Sequence, residues 1–370
     1  MDNSKEKIYK VGSRKSELAL IQTRHVINRL QQLHSDVKFE IEEMNTTGDK
    51  ILNQPLPKIG EKSLFTKELE EALERGDVDF VVHSLKDLPT TLPEKKTVGA
   101  ILKREDPRDC VILHDKHRHL TLETLPRGSV IGTSSSRRTA QLSRLYPNVK
   151  VQSIRGNLNT RLEKLKDRNL YDGIVLATAA VKRIGWTDQI SEVLNDDNVL
   201  YAVGQGALAV ECREQDEEVL SLLQPLIHHD TVLLILAERS FLKRLGGGCF
   251  APVAVRSSIN DNILSLHGQV CSTDGSEMIE DGLKCALNEE KSETTENEVE
   301  NGSGEPPLKR VCKPQQLFCG ISPNSANITF LEKAEKLGVN LADLLIEKGA
   351  LKLLNAAREE ASKDVVKIQS

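Results

Sequence analysis

Aromatic side chains are scarce in this sequence: tryptophan, tyrosine and phenylalanine make up 3% of 370 residues, with a single tryptophan. So few flat rings give no stacking platform for single-stranded nucleic acid, and a net charge of −5 gives no general attraction to a polyanionic backbone. No apolar run approaches the length of a membrane span. The stretch Met1-Asp2-Asn3-Ser4-Lys5-Glu6-Lys7 lacks both the apolar core of a secretory signal and the arginine-rich, acid-poor character of a transit peptide, so a cytoplasmic address is expected. The seven cysteines are odd in number and contain no Cys-x-x-Cys pair, which points away from a disulfide framework or a zinc site and toward reduced thiols.

What is present is an ordinary globular balance, 38% apolar and 28% charged, in a chain long enough for two or three separate cores. Residues 8–11 read as a strand, and Gly12-Ser13-Arg14-Lys15-Ser16 leads into a helix with Leu20, Thr23, Ile27 and Leu30 on one face. A second helix runs from Leu64 to Arg75, stops at Gly76 and feeds the apolar run 78–82, a strand buried on both faces. Helix alternating with buried strand predicts a parallel sheet. The pattern restarts near residue 105, with strands at 111–113, 129–131 and 174–177 and a helix opened by Gly132-Thr133-Ser134-Ser135-Ser136-Arg137-Arg138 and ending at Tyr146.

The openings Val-Gly-Ser-Arg and Ile-Gly-Thr-Ser-Ser-Ser-Arg-Arg are alike in kind, each with a glycine after a strand, hydroxyls at the cap and arginine at the helix start. They predict two similarly built lobes facing each other, with 201–211 crossing back to the first. A third region from about Leu226 carries a helix over 233–245, strands near 253–255 and 263–270, and a helix pair over 328–337 and 341–361. Residues 288–314, rich in Glu, Ser, Asn, Gly and Pro, are expected to form a disordered insertion, and Leu308-Lys309-Arg310 within it reads as a solvated charge run sooner than an address.

Charge is unevenly spread. Between Ile131 and Arg161 stand five arginines, one lysine and no acidic residue. Arg14 and Lys15, and again Arg137 and Arg138, fall at predicted helix N-termini, where a cation is disfavoured by about 0.3–1 kcal/mol. Something anionic is expected to offset this, and helix N-termini with glycine, hydroxyls and guanidiniums are ready anion sites. Single arginines of this kind are more often solvated surface charges; the whole set points to a polyanionic ligand.

Asp87, in His83-Ser84-Leu85-Lys86-Asp87-Leu88-Pro89, follows the buried strand and is placed for chemistry in the crevice, or else closes an Asx-type turn before Pro89. In Leu245-Gly246-Gly247-Gly248-Cys249, glycines permit close approach of a bulky group to a flexible cysteine loop, or Cys249 is a buried structural thiol. His114, His117 and His119 read as a solvated loop, with no metal expected, and Gly204-Gln205-Gly206 as a close turn lacking the third glycine of a dinucleotide loop.

Together with Thr46-Thr47-Gly48-Asp49, residues 60–69, Arg155-Gly156-Asn157-Leu158-Asn159-Thr160-Arg161 and residues 201–208, these strings run in order along nearly the whole chain, and the sequence resembles the porphobilinogen deaminase (hydroxymethylbilane synthase) family in its eukaryotic form. The resemblance implies an α/β protein of three domains: two lobes like type II periplasmic binding proteins, over 1–104 with 204–226 and over 105–203, and a smaller α+β C-terminal domain over 227–370 carrying the cofactor cysteine. It implies a monomer that deaminates four porphobilinogens and condenses them head to tail into hydroxymethylbilane for haem synthesis, on a dipyrromethane primer joined to Cys249. It implies porphobilinogen and the growing pyrrole chain as partners, with neither nucleic acid nor membrane.

Carried over by motif, the resemblance assigns Asp87 and Lys86 to catalysis. Cofactor binding falls to Cys249, Arg14, Ser16, Lys62, Phe65, Lys86, Asp87, Ser134, Arg137, Arg138, Arg161 and Gln205, and substrate binding to Arg14, Gln22, Arg155 and Arg183. Bidentate arginines suit the acetate and propionate arms of such a chain, and a carboxylate at position 87 supplies both charge and basicity. Ser136 stands where relatives usually have leucine, and Gly246 where they usually have glutamate, which bears on the rigidity of the cysteine loop. The rivals are a two-lobed protein that captures an anion without reacting, for which neither Cys249 nor Asp87 is needed, and a nucleic-acid binder using the arginine field.

Overall fold

The computed structural model describes residues 7–47, 66–167, 170–246, 251–288 and 318–369. A first sheet is built from β1 (Lys7–Arg14), β2 (Val37–Met44), β3 (Phe80–Ser84), β4 (Lys96–Ile101) and β10 (Leu208–Arg213), in the order β2-β1-β3-β10-β4. A second contains β5 (Asp109–Leu113), β6 (Val130–Gly132), β7 (Lys150–Gln152), β8 (Gly173–Ala177) and β9 (Glu192–Val193), in the order β7-β6-β8-β5-β9. The buried runs expected from the sequence are here: every residue of β4, β5 and β8 is buried.

Neither sheet is wholly parallel, as the sequence had suggested. β1 pairs in parallel with β2 and β3, but β10 runs antiparallel to both β3 and β4. In the second sheet β6 is parallel to β7 and β8, while β5 is antiparallel to β8 and β9. The reason is the same on both sides. The inserted strand has just crossed from the other lobe, through 102–108 for β5 and 199–207 for β10, so it enters against the local strand direction. The two lobes thus share one strand plan.

In the first lobe α1 (Glu17–Leu33) follows β1 and α2 (Lys67–Arg75) precedes β3; α2 stops where Gly76 takes a left-handed φ of 74°. The buried face of α1 is Gln22, Thr23, Val26 and Leu30, so Val26 fills the place that spacing gave to Ile27, which stays half-buried. In the second lobe α3 (Ser136–Leu145) follows β6, α4 (Leu158–Asp167) follows β7 and α5 (Thr178–Arg183) follows β8. After β10 come α6 (Glu217–Leu223) and α7 (His229–Arg244), the latter buried from Thr231 through Phe241 except at Leu234.

The C-terminal domain is an antiparallel sheet, β11 (Val253–Asn260), β12 (Ile263–Cys271) and β13 (Met278–Ala286), packed by α7 and α8 (Ile328–Glu347), with α9 (Ala350–Gln369) beyond. Its third strand was not foreseen. α8 also runs ten residues past the expected end at Leu337. Gly338 lies inside it because α7 approaches there: a Cβ at Gly338 would sit 2.2 Å from the Ala237 carbonyl oxygen. The break falls at Gly349, with φ 101°. Residues 289–314 of the expected insertion lie outside the described residues.

Candidate active site

β3 ends in a single 3-10 turn, Leu85–Asp87, that turns Lys86 and Asp87 out of the sheet. The turn is gripped on three sides. Leu85 N donates to Ala207 O at 3.0 Å. Gly204, with φ 76°, presses so close that a Cβ would meet Leu85 Cδ2 at 2.3 Å. Arg239 of α7, 1% exposed, donates to Leu88 O at 3.2 Å, Pro89 O at 2.6 Å and Cys319 O at 2.8 Å; burial brings its guanidinium down to about 10. Among the described residues the Asp87 carboxylate takes no hydrogen bond, so it closes no Asx-type turn and is left for a ligand.

Opposite this turn stands the start of α3. Ser135 caps the helix, accepting from Arg138 N at 3.4 Å, and Arg137 and Arg138 occupy its first turn, 5% and 6% exposed. The anion that their position demands is supplied in part by the protein. Asp109, fully buried at the head of β5, lies 2.8 Å from Arg137 Nη1 and 2.7 Å from Arg138 Nη2. The contact with Arg137 is an ion pair off the hydrogen-bonding direction, since Asp109 Oδ2 has no aligned donor among the described residues. Burial alone would raise the Asp109 carboxyl, but the two guanidiniums hold it far below the ordinary carboxylate range. Arg137 also donates to Leu200 O at 2.7 Å and Arg138 to Val175 O at 2.9 Å.

Gln205, fully buried in the crossing segment, ties the two sides together. Its Nε2 donates to Asp109 Oδ1 and to Pro107 O, both at 2.7 Å, and its Oε1 accepts from Lys86 Nζ at 3.5 Å. Burial lowers the Lys86 ammonium from 10.5 to about 8, against a raising effect of Asp87 and with further lowering by Arg138. Arg161 of α4 donates from Nε to Gly156 O at 2.9 Å; burial, then Arg138 and Arg155, bring it down to about 10. Arg155 is half-buried and also lowered by burial. Ser134 Oγ donates to Ile154 O at 2.5 Å beside Ser153.

On the first lobe Arg14 is the last residue of β1 and Ser16 caps α1, accepting from Ala19 N at 3.4 Å, so Arg14 and Lys15 precede the helix and do not enter its first turn. The α1 start faces the α4 start across the cleft, where Asn159 Nδ2 donates to Glu17 Oε2 at 2.6 Å.

Two expected contacts are engaged elsewhere. Gln22 is 4% exposed and hydrogen-bonds Ser84 Oγ at 2.9 Å. Arg183 pairs with Glu105 at 2.9 Å and donates to Gly206 O at 2.7 Å. Lys62, Phe65 and Cys249 lie outside the described residues; Gly246, just before the cysteine loop, takes φ 63°. Among the described residues no His, Cys, Asp or Glu group could hold a metal, and His117 pairs with Asp172 at 3.2 Å. Asp109 is the functional residue that sequence reasoning missed. Its one signal was an acid opening the apolar run Cys110 to Leu113.

The cleft therefore gathers Lys86, Arg137, Arg138, Arg155 and Arg161 around a half-exposed carboxylate, with burial weakening the hold of Lys86, Arg137, Arg155 and Arg161 on their protons. A polyanion with several carboxylate arms fits such a field; a neutral ligand leaves it uncompensated.

Residues 9–221 match the family model described as porphobilinogen deaminase, dipyrromethane cofactor-binding domain, and residues 232–300 match the C-terminal domain of the same family. A porphobilinogen deaminase of Synechococcus elongatus is 50% identical over 281 residues, 76% of this chain and 88% of that one. One from a Nostoc species is 42% identical over 353 residues, 95% of each chain. One from Dictyostelium discoideum is 47% identical over 278 residues, 73% of this chain and 86% of that one. Cyanobacterial chains thus stand beside a eukaryotic one, and similarity does not single out the eukaryotic form.

Proposed function

Because the chain belongs to the porphobilinogen deaminase family, transferases that condense four porphobilinogens into hydroxymethylbilane on a dipyrromethane cofactor, we propose that its reaction is driven by Asp87 in the cleft just described. Bound to the cleft, the dipyrromethane supplies the pyrrole end to which each incoming unit is joined, and Cys249 is its point of attachment. Lys86, Arg137, Arg138, Arg161, Ser134 and Gln205, with Arg14, Ser16, Lys62 and Phe65, hold its carboxylate arms and rings. Arg14, Gln22, Arg155 and Arg183 receive substrate. For Gln22 and Arg183 this requires that Ser84 and Glu105 be released or shared.

Asp87 accepts hydrogen bonds from pyrrole N–H groups, steadies the positive charge left on the substrate when ammonia departs, and takes the proton released on condensation. One observation carries this reading: a carboxylate that takes no hydrogen bond among the described residues, turned out of the sheet beside half-buried Lys86 and opposite the buried Arg137 and Arg138. An anion-capturing protein needs no such base.

The same proposal divides the chain into 1–104 with 204–226, 105–203, and 227–370, which the three sheets support. A cytoplasmic address is supported by the buried free thiols of Cys110, Cys212, Cys271 and Cys319, which suit a reducing compartment. A monomer is supported by exposed large apolar side chains that are scattered over separate elements, among them Ile8, Leu145, Ile263 and Ile328. The eukaryotic form rests on the motif strings alone.

Intact-mass measurement of the purified chain tests the reading. Two pyrrole units are expected on the wild-type chain and none on Cys249→Ser. A fully active chain of unmodified mass overturns the attachment.

A further inference from the structure

We propose that Asp109 is a positioning residue for this reaction: a buried carboxylate that fixes both arginines of the second lobe and, through Gln205, the Lys86–Asp87 turn of the first. The inference rests on the function proposed above and adds a residue to it.

Asp109 is fully buried, yet it meets three side chains from two parts of the chain: Arg137 as an ion pair and Arg138 as a donor, both from the first turn of α3, and Gln205 as a donor from the segment that crosses between lobes. An isolated structural salt bridge needs one cation. Here one carboxylate holds two guanidiniums side by side, against their mutual repulsion and against the positive end of the helix that carries them. The guanidiniums are not saturated by this arrangement. Each keeps a buried Nε–H without an acceptor among the described residues, although Arg137 also reaches Leu200 O and Arg138 reaches Val175 O. Asp109 therefore sets where the two forks lie without using up their donors.

The second half of the network passes through Gln205. With its amide nitrogen committed to Asp109 and Pro107, the side chain can turn only its oxygen toward Lys86, a long contact at 3.5 Å. The charged groups that face the Lys86 ammonium are Asp87 from its own turn, Arg138 and Arg137 from α3 and Asp109 from β5. Two of these are cations and two are carboxylates. Removing the Asp109 charge leaves Lys86 with the two guanidiniums and Asp87 alone, which disfavours its protonated form.

The test uses the full chain. Wild type is first checked for the two-pyrrole mass, and its absence sinks the proposed attachment and this inference with it. Asp109→Asn keeps the shape and removes the charge. It is expected to lower kcat about tenfold or more, with KM within about threefold of wild type, and to move the alkaline limb of the pH profile down by about half a unit or more. A purely structural salt bridge shifts stability and leaves that limb in place. Asp109→Glu restores the charge on a longer arm and is expected to return the limb to its wild-type position while kcat stays depressed. Where Asp109→Asn does not fold, Asp109→Glu decides, since wild-type kcat in that variant overturns the role. Wild-type kcat and an unmoved limb in a folded, adduct-bearing Asp109→Asn chain overturn it as well, and leave the rest of the proposed site standing.

Discussion

The two lobes share a strand plan and a strand-turn-helix opening, but they present their cations to the cleft in different ways. At the first lobe β1 runs into Arg14, Ser16 caps α1, and the arginine stays outside the helix, with the acidic Glu17 in the first turn. At the second, Ser135 caps α3 and both arginines lie inside the first turn, buried and held by Asp109. Strings that look alike in the sequence are thus offset in register about the cap. The offset decides whether a cation lies in the first turn of its helix. Arg14, ahead of the helix and half-buried, does not have to enter the positive end of a dipole; Arg137 and Arg138 do, and the fold places a carboxylate against them. The first lobe offers chemistry that its own fold does not use, and the second offers binding that its fold depends on.

If that contrast holds, the largest effect on turnover comes from a group the fold ignores. Asp87→Ala is expected to lower porphobilinogen turnover by roughly 10²–10⁴ while thermal unfolding stays within about 0.5 kcal/mol of wild type, as for substitutions away from packed or paired groups. Near-wild-type turnover removes Asp87 from the reaction; a large loss of stability shows that the first lobe does lean on it, and the contrast fails.

The second lobe should answer in the opposite way. Arg137→Leu leaves Asp109 buried with Arg138 as its remaining cation, so a loss toward the low end of roughly 3–5 kcal/mol is expected, together with a chain that lacks the two-pyrrole mass. Denaturant unfolding and intact mass read the two halves separately. A variant as stable as wild type means that Arg138 alone satisfies Asp109 and that the arginines are not built into the fold.

Much of this was legible in the sequence, because period and composition report local structure. The apolar runs at 78–82, 111–113 and 174–177 fall within or beside β3, β5 and β8, and Gly76 ends α2 as its position suggested. The placement of Lys86 and Asp87 just after a buried strand was legible for the same reason. What escaped depends on pairing over distance. Asp109 lies 28 residues before Arg137, and nothing local marks the acid at the head of an apolar strand as a partner for two arginines of the next helix. The antiparallel entry of β5 and β10 follows from where the chain has been, which strand composition does not encode. Gly338 misled because a glycine that lets two helices touch and a glycine that ends a helix look the same in sequence.

The smallest expected effect probes the point where the lobes meet. Lys86 belongs to the first lobe, yet its ammonium is held at about 8, first by burial and then by the balance of Asp87 against the second lobe's guanidiniums. In the unfolded chain its value returns toward 10.5. Between these two values the unfolded state binds more protons than the folded one, so the contribution of Lys86 to stability rises with pH across that window and is least favourable below it. Lys86→Met removes the group and its titration. Measured on the Cys249→Ser background, where no bound polyanion reinforces the ammonium, the stability of Lys86→Met relative to its parent should be highest below pH 8 and should decline as pH rises toward 10.5. A difference that is flat across this range means that Lys86 keeps its proton without cost. The second lobe's cations would then not reach across the cleft, and the two lobes would be electrostatically separate.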